Sequence, residues 1–200
     1  PDSFDARTKW SSCSALTTIR NQGSCGSCYA FAASEVLGSR LCIEDKAYDI
    51  LSPQYIISCD KSELVCGGGW LDSTWKFLNA SGTVTDRCVA YREKETKCPL
   101  FCDYGTASLT FYKATSVYSP FVSGDRKATV EAIQRDIMEN GPVESQFWVF
   151  DDFASYKYGT YRRGKNSIAQ GGHAIMIVGW DTDSCELIFF LKMVPPSISP

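Results

Sequence analysis

The chain holds one histidine, His173, and it lies 145 residues after Cys28. Cys28 sits in Gln22-Gly23-Ser24-Cys25-Gly26-Ser27-Cys28-Tyr29-Ala30-Phe31, and His173 in Gln170-Gly171-Gly172-His173-Ala174-Ile175. A thiol of ordinary pKa, near 8.5, is a modest nucleophile at neutral pH; a helix N-terminus and an adjacent imidazolium lower that pKa by several units. A fold that uses both residues must therefore carry the end of the chain back to its beginning. The protonated imidazole would then deliver a proton to a leaving amine, the general-acid step of acyl transfer. The developing oxyanion needs fixed donors: the backbone N–H of Cys28 at the helix start is one, and the side-chain amide of Gln22 is the other.

Ten cysteines in 200 residues favour an oxidising setting, because cytosolic chains keep thiols reduced and rarely carry so many. At 44% hydrophobic and 22% charged the chain has the balance of a globular protein rather than a disordered one. Its apolar runs at 174–180 and 187–191 fall far short of the ~20 residues a membrane helix needs. A net charge of −3 argues against a nucleic-acid face. Two hundred residues make one large domain or two halves sharing a cleft. The chain opens on Pro1-Asp2-Ser3-Phe4-Asp5-Ala6-Arg7 without a signal peptide, which reads as a processed N-terminus.

Helical patterns fill the first half. Residues 28–41 read as a helix with Tyr29, Ala32, Ala33, Val36 and Leu37 on one face, capped by Ser24 or Ser27. Leu71, Trp75 and Leu78 give a second helix over 71–79. Past residue 108 the pattern turns to strands, with one helix over 125–140 stopped by Gly141-Pro142. Residues 143–149 read as a strand, 156–161 as an aromatic hairpin around Gly159, and 174–180 as a strand covered on both faces. Two lobes follow, meeting near 108–124, with Cys28 on the helical lobe, His173 on the sheet lobe and the pair facing across the cleft.

Other readings compete. Cys25 and Cys28 have the spacing of a redox C-x-x-C motif, but no βαβ pattern surrounds them and Gln22-Gly23 stays unexplained. The cysteines and His173 lack the paired C-x₂-C units of a zinc site, so neither metal nor cofactor is expected. A lone histidine is more often a core residue than a catalyst; beside Gly171-Gly172, at this distance from Cys28, it reads as the partner. A disulfide-stapled structural module leaves Gln22, Cys28 and His173 together unexplained.

The C-G-S-C-Y string with a histidine this far downstream is similar to the signature of the papain family of cysteine peptidases. The chain resembles that family's cathepsin B-like members, protist ones in particular, over about residues 1–181. The matching blocks are Ser3-Phe4-Asp5-Ala6-Arg7, residues 22–31, Leu51-Ser52-Pro53-Gln54, Cys66-Gly67-Gly68-Gly69-Trp70, Gly141-Pro142-Val143-Glu144 and Gly171-Gly172-His173-Ala174-Ile175. The resemblance implies an α+β, papain-like fold of two lobes. Residues 1–108 form a helical, disulfide-rich lobe, 109–200 an antiparallel, barrel-like β lobe, and the active-site cleft lies between them. It implies Cys28 as nucleophile, His173 as its partner and Gln22 as oxyanion donor. Gly68, Gly69 and Gly172 bind substrate backbone, Trp70 lines the pocket for the second residue before the cut, and Gln146 lines the rest of it. It also implies the bridges Cys13–Cys42, Cys25–Cys66, Cys59–Cys98 and Cys88–Cys102, leaving Cys28 free and Cys185 over. Protein or peptide substrates, a prosegment or protein inhibitors as partners, a monomeric state and a lysosomal, vacuolar or secreted location follow from the same resemblance. Asn79-Ala80-Ser81 fits a glycosylation sequon.

Two departures matter. The segment from Cys88 to Cys102 is short and has no histidine, so it lacks the paired histidines with which cathepsin B holds a substrate's C-terminus; endopeptidase action is expected. About twenty residues past the histidine the family carries Asn-Ser-Trp, whose Asn orients the imidazole. This chain reads Ile188-Phe189-Phe190-Leu191-Lys192-Met193-Val194-Pro195-Pro196-Ser197 there. Met193 falls near the Asn position and is a weak acceptor. The tail thus reads as truncated or aberrant, with the last strands missing, sheet edges exposed and the histidine lobe weakened. A second class of function follows: a catalytically impaired homologue acting as a peptide-binding or decoy protein.

Overall fold

The computed structural model describes residues 1–47, 49–184 and 186–195. Cys185 and the tail beyond 195 lie outside the described residues. The chain starts with a short strand, β1 (Phe4–Asp5), and one helical turn, α1 (Ala6–Lys9), whose Arg7 N–H meets the Asp5 carboxylate. Helix α2 (Cys28–Ile43) follows. Its run of Ala30, Ala32, Ala33, Ser34, Gly38 and Ser39 offers small side chains, so neighbours pack closely on several sides and most of the helix is buried.

α3 (Pro53–Cys59) is a helix that the apolar pattern does not announce. It is set by its cap: Ser52 accepts the N–H of Tyr55 at 3.1 Å, and Pro53 occupies the first turn, where no N–H is needed. α4 (Leu71–Ala80) buries Leu78 and half-buries Leu71 and Trp75, the expected stripe. α5 (Arg126–Asn140) is capped by Asp125, which accepts the N–H of Ala128, and ends at Gly141.

The sheet is built on one long strand. β2 (Val143–Phe150), β3 (Ala169–Asp183) and β4 (Glu186–Lys192) join β1 in an antiparallel set in which every other strand pairs with β3. Trp180 faces Phe4 of β1 and Phe189 of β4, while Ile177 faces Val143 of β2 and Leu191 of β4. β4 therefore runs along one side of β3, and β1 and β2 share the other. The sheet does not close, so the barrel-like expectation gives way to an open antiparallel sheet.

One core joins this sheet to α2 and α5 through Val36, Ile137, Val143, Ile175, Met176 and Trp180. A second, formed by Tyr29, Ala33, Leu37, Ile56 and Leu78, joins α2 to α3 and α4, and reaches β3 at Ala174. α2 is thus packed on two opposite sides. Four disulfides, Cys13–Cys42, Cys25–Cys66, Cys59–Cys98 and Cys88–Cys102, cross-link the helical region.

Two expectations change. Residues 156–161 form no hairpin; Phe153 stacks on Tyr156 and meets the Tyr161 ring edge-on, and Asp152 accepts from the Tyr161 hydroxyl, so the segment folds back on residues 152–153 instead. The segment after 181 is not a break in the sheet: it contains β4, which pairs with β3 from Met176 to Asp183.

Candidate functional site

α2 begins at Cys28, so the uncapped N–H groups of its first turn face the thiol. Ser27 stands at the cap position, yet its hydroxyl does not cap the helix: it lies 2.8 Å from the Tyr91 hydroxyl and 3.3 Å from the Cys25 carbonyl. Tyr91 also donates to the Gln22 carbonyl at 2.6 Å. The Cys25–Cys66 bridge, the Gly26 N–H donating to Cys66 O at 3.0 Å and the Tyr29 hydroxyl donating to Val65 O at 3.0 Å tie the start of α2 to the loop 65–69. Gln22 is buried beside this junction. Cys28 is the free cysteine among the described residues.

That loop needs its glycines. Gly68 has φ +109° with open space where a Cβ would stand. A Cβ on Gly69 would meet Glu63 Oε2 at 2.6 Å and the Tyr29 ring at 2.8 Å. Glu63 also accepts the Trp70 N–H at 2.8 Å, which fixes the loop while leaving the Trp70 ring 57% exposed.

His173 lies on β3, opposite Phe147 of β2, with the two rings 6.1 Å apart. It is 3% exposed, and its Nε2 lies 2.9 Å from the carbonyl oxygen of Val194. The next residue, Ala174, packs in the same cluster as Cys28, so β3 meets the N-terminus of α2 at this point. Gly172 is exposed on one side of His173, and Gln146, also exposed, pairs with Ala174 across the sheet. Gly68, Gly69 and Trp70 stand on the helical side; Gly172, His173 and Gln146 stand on the sheet side.

Burial pushes the Cys28 thiol up from its ordinary value; the N–H groups of Ala174 and Tyr29 pull it back, and the Glu144 carboxylate pushes it further up. Burial holds the His173 imidazole below its ordinary 6.5, and the bond to Val194 restores part of the loss. Each group is therefore held toward its neutral form, because burial penalises both the thiolate and the imidazolium. The charge pair read from the sequence must draw on the mutual attraction of the two groups to offset that penalty.

Residues the sequence reading passes over also shape the site. Glu144, on β2, takes the Trp75 indole N–H on Oε2, while Oε1 is enclosed without a hydrogen-bond partner. Burial holds its carboxyl well above the usual carboxylate range, and Glu63 adds to the effect. Glu63 and Tyr91 carry no signal in the sequence, and Val194 acts through its backbone. A groove of about 780 Å³ opens beside the site, lined by Leu37, Leu41, Leu71, Trp75, Val143 and Glu144 among others; neither Cys28 nor His173 lines it. Among the described residues no cluster of three or more His, Cys, Asp or Glu side chains could hold a metal ion.

A family model described as "Papain family cysteine protease" matches residues 1–192, past the point where the sequence reading ends the likeness. "Cathepsin B-like CP3" of Giardia intestinalis is 38% identical over 189 residues, covering 92% of this chain and 60% of that protein. "Cathepsin B" of Dictyostelium discoideum is 34% identical over 198 residues, covering 91% of this chain and 61% of that protein. Among solved structures, "proCathepsin B S9 from Trypanosoma congolense" matches with a TM-score of 0.85 at 26% identity, covering 94% of this chain and 65% of that one. The chain thus spans about 60% of the length of these curated relatives.

Proposed function

The chain belongs to the papain family of cysteine proteases, and on that premise we propose that it is a cathepsin B-like endopeptidase with Cys28 as nucleophile and His173 as acid and base. The observation that carries this reading is the meeting of α2 and β3: the free thiol at a helix N-terminus packs in the same cluster as Ala174, the residue beside His173.

In this mechanism the Cys28 proton passes to His173 Nδ1 as Sγ attacks the substrate carbonyl carbon. The carbonyl π electrons move to oxygen, where the Cys28 N–H and the Gln22 amide N–H stabilise them. Collapse breaks the C–N bond, and the leaving amine takes the proton from the imidazolium, which leaves a thioester. Water then attacks the thioester and gives its proton to His173. Breaking of the C–S bond releases the acid and returns the proton to Sγ.

Gly68, Gly69 and Gly172 flank the bound peptide, which adds as a strand; Trp70 and Gln146 bound its second residue before the cut. The lobe of residues 1–108 carries the nucleophile and that of 109–200 the histidine, with β1 reaching across to the sheet. The absence of histidine between Cys88 and Cys102 supports cutting within a chain. Four disulfides support a secreted, lysosomal or vacuolar setting; no helix among the described residues is long and apolar enough to cross a membrane. A prosegment covering the cleft is the expected partner, by analogy with the proenzyme neighbour.

The test is digestion of an unfolded protein followed by mass-spectrometric mapping of the products, with Cys28→Ser as control. Internal cuts that vanish in the control support the reading. Stepwise loss of C-terminal dipeptides contradicts endopeptidase action, and products unchanged by Cys28→Ser contradict the nucleophile.

A further inference from the structure

The imidazole of His173 needs a group that fixes its tautomer and its plane, and Met193, near the position where the resemblance expects an Asn, is a weak acceptor. The structure supplies a different atom: we infer that the backbone carbonyl of Val194 is the positioning group for His173, holding the proton on Nε2 and leaving Nδ1 as the nitrogen that serves Cys28. A carbonyl oxygen only accepts, so at 2.9 Å from it Nε2 must be the donor. In a neutral ring the other nitrogen then carries the lone pair, as a base for a thiol requires. The inference rests on the peptidase reading for its purpose but not for its geometry.

The carbonyl is held by more than one attachment. Lys192, two residues before Val194, is 4% exposed and its ammonium pairs with the 5%-exposed Glu35 carboxylate. Lys192 is in register with Met176, three residues past His173 on β3. Met193 packs against the core between sheet and helices, and Val194 itself is 2% exposed. Glu35 stands on α2, seven residues after Cys28, on the same face of the helix. The helix that presents the thiol therefore also clamps, through Glu35 and Lys192, the segment whose carbonyl orients the histidine.

With one histidine in the chain, ¹⁵N-histidine labelling gives a single pair of ring signals that report the tautomer directly. Three full-length proteins are compared: the natural chain, Pro195→Ala, and a semisynthetic chain in which lactic acid at position 195 turns the amide after Val194 into an ester. The ester keeps the shape but makes the carbonyl a weaker acceptor. The expected result is an Nε2–H neutral ring in the natural chain and in Pro195→Ala. In the ester, mixed tautomers, a lower imidazole pKa and a kcat about tenfold down at unchanged KM are expected. An Nδ1–H ring in the natural chain, or an ester indistinguishable from Pro195→Ala, overturns the inference. An Nε2–H ring that the ester disturbs, in a chain that cleaves nothing, upholds the positioning role and removes the peptidase reading instead.

Discussion

All four disulfides fall between Cys13 and Cys102, in the region that presents Cys28, whereas β2, β3 and β4, which present His173, contain none among the described residues. The nucleophile is placed by covalent staples around the start of α2. The histidine is placed by strand register, one buried ion pair and one carbonyl. Two reacting groups that must meet within hydrogen-bond distance are thus held by different means, and the weaker means is on the histidine side. Perturbations of the tail should therefore cost more function than equal perturbations of the staples.

The largest stability effect expected is at the Glu35–Lys192 pair. Burial pushes the Glu35 carboxyl up and the Lys192 ammonium down, and each partly restores the other. Lys192→Ala strands a buried acid and should cost about 3–5 kcal/mol in urea unfolding, while Glu35→Leu with Lys192→Met should recover most of it. A single variant that unfolds like the natural chain would remove the clamp from the account. Next comes Gln22→Ala, for which kcat should fall about 10²–10³-fold with the fold intact by circular dichroism. A smaller drop would move the oxyanion site elsewhere.

On the stapled side, replacing Cys88 and Cys102 with alanine opens a bridge of separation 14 and should cost about 3 kcal/mol. Little change in the rate of Cys28 alkylation is expected there, since the Cys25–Cys66 bridge still holds the start of α2. A large loss of thiol reactivity would erase the distinction between scaffold and site.

The smallest effect concerns pH. Glu144 is raised well above 4.5, so the unfolded chain ionises there while the folded chain keeps its proton. Its contribution is full below that value and is lost as pH rises toward the folded pKa. Glu144→Gln should thus leave stability unchanged near pH 4 and raise it near pH 7.5. His173 has the opposite sign: held below 6.5, it stabilises the fold above that value, and this is lost as pH falls through it. Thermal melts at three pH values on the natural chain, Glu144→Gln and His173→Asn separate the two.

Much of this was open to a reader of the sequence, for a physical reason. α4 and α5 carry an apolar stripe at helical spacing and β3 a continuous apolar run, and their existence follows from those patterns. Cys28 and His173 stand out because the C-G-S-C-Y string and a lone histidine beside two glycines occur together at this spacing. What stayed hidden depends on atoms that have no letter of their own. α3 rests on a serine cap, the 156–161 loop on ring contacts and an aspartate that accepts from the Tyr161 hydroxyl, and the orientation of His173 on a backbone carbonyl. Glu144 was visible as a letter, but that Trp75 engages only one of its oxygens is a fact of packing.

The most direct measurement is the rate of Cys28 alkylation by a peptidyl epoxide, read by peptide-level mass spectrometry, in the natural chain and in His173→Asn at mildly acidic pH. Rapid modification confined to Cys28, slowed to that of an ordinary thiol in His173→Asn, is the result predicted. An unreactive Cys28 in a folded chain, or equal rates in the two proteins, would contradict the pairing of these two residues.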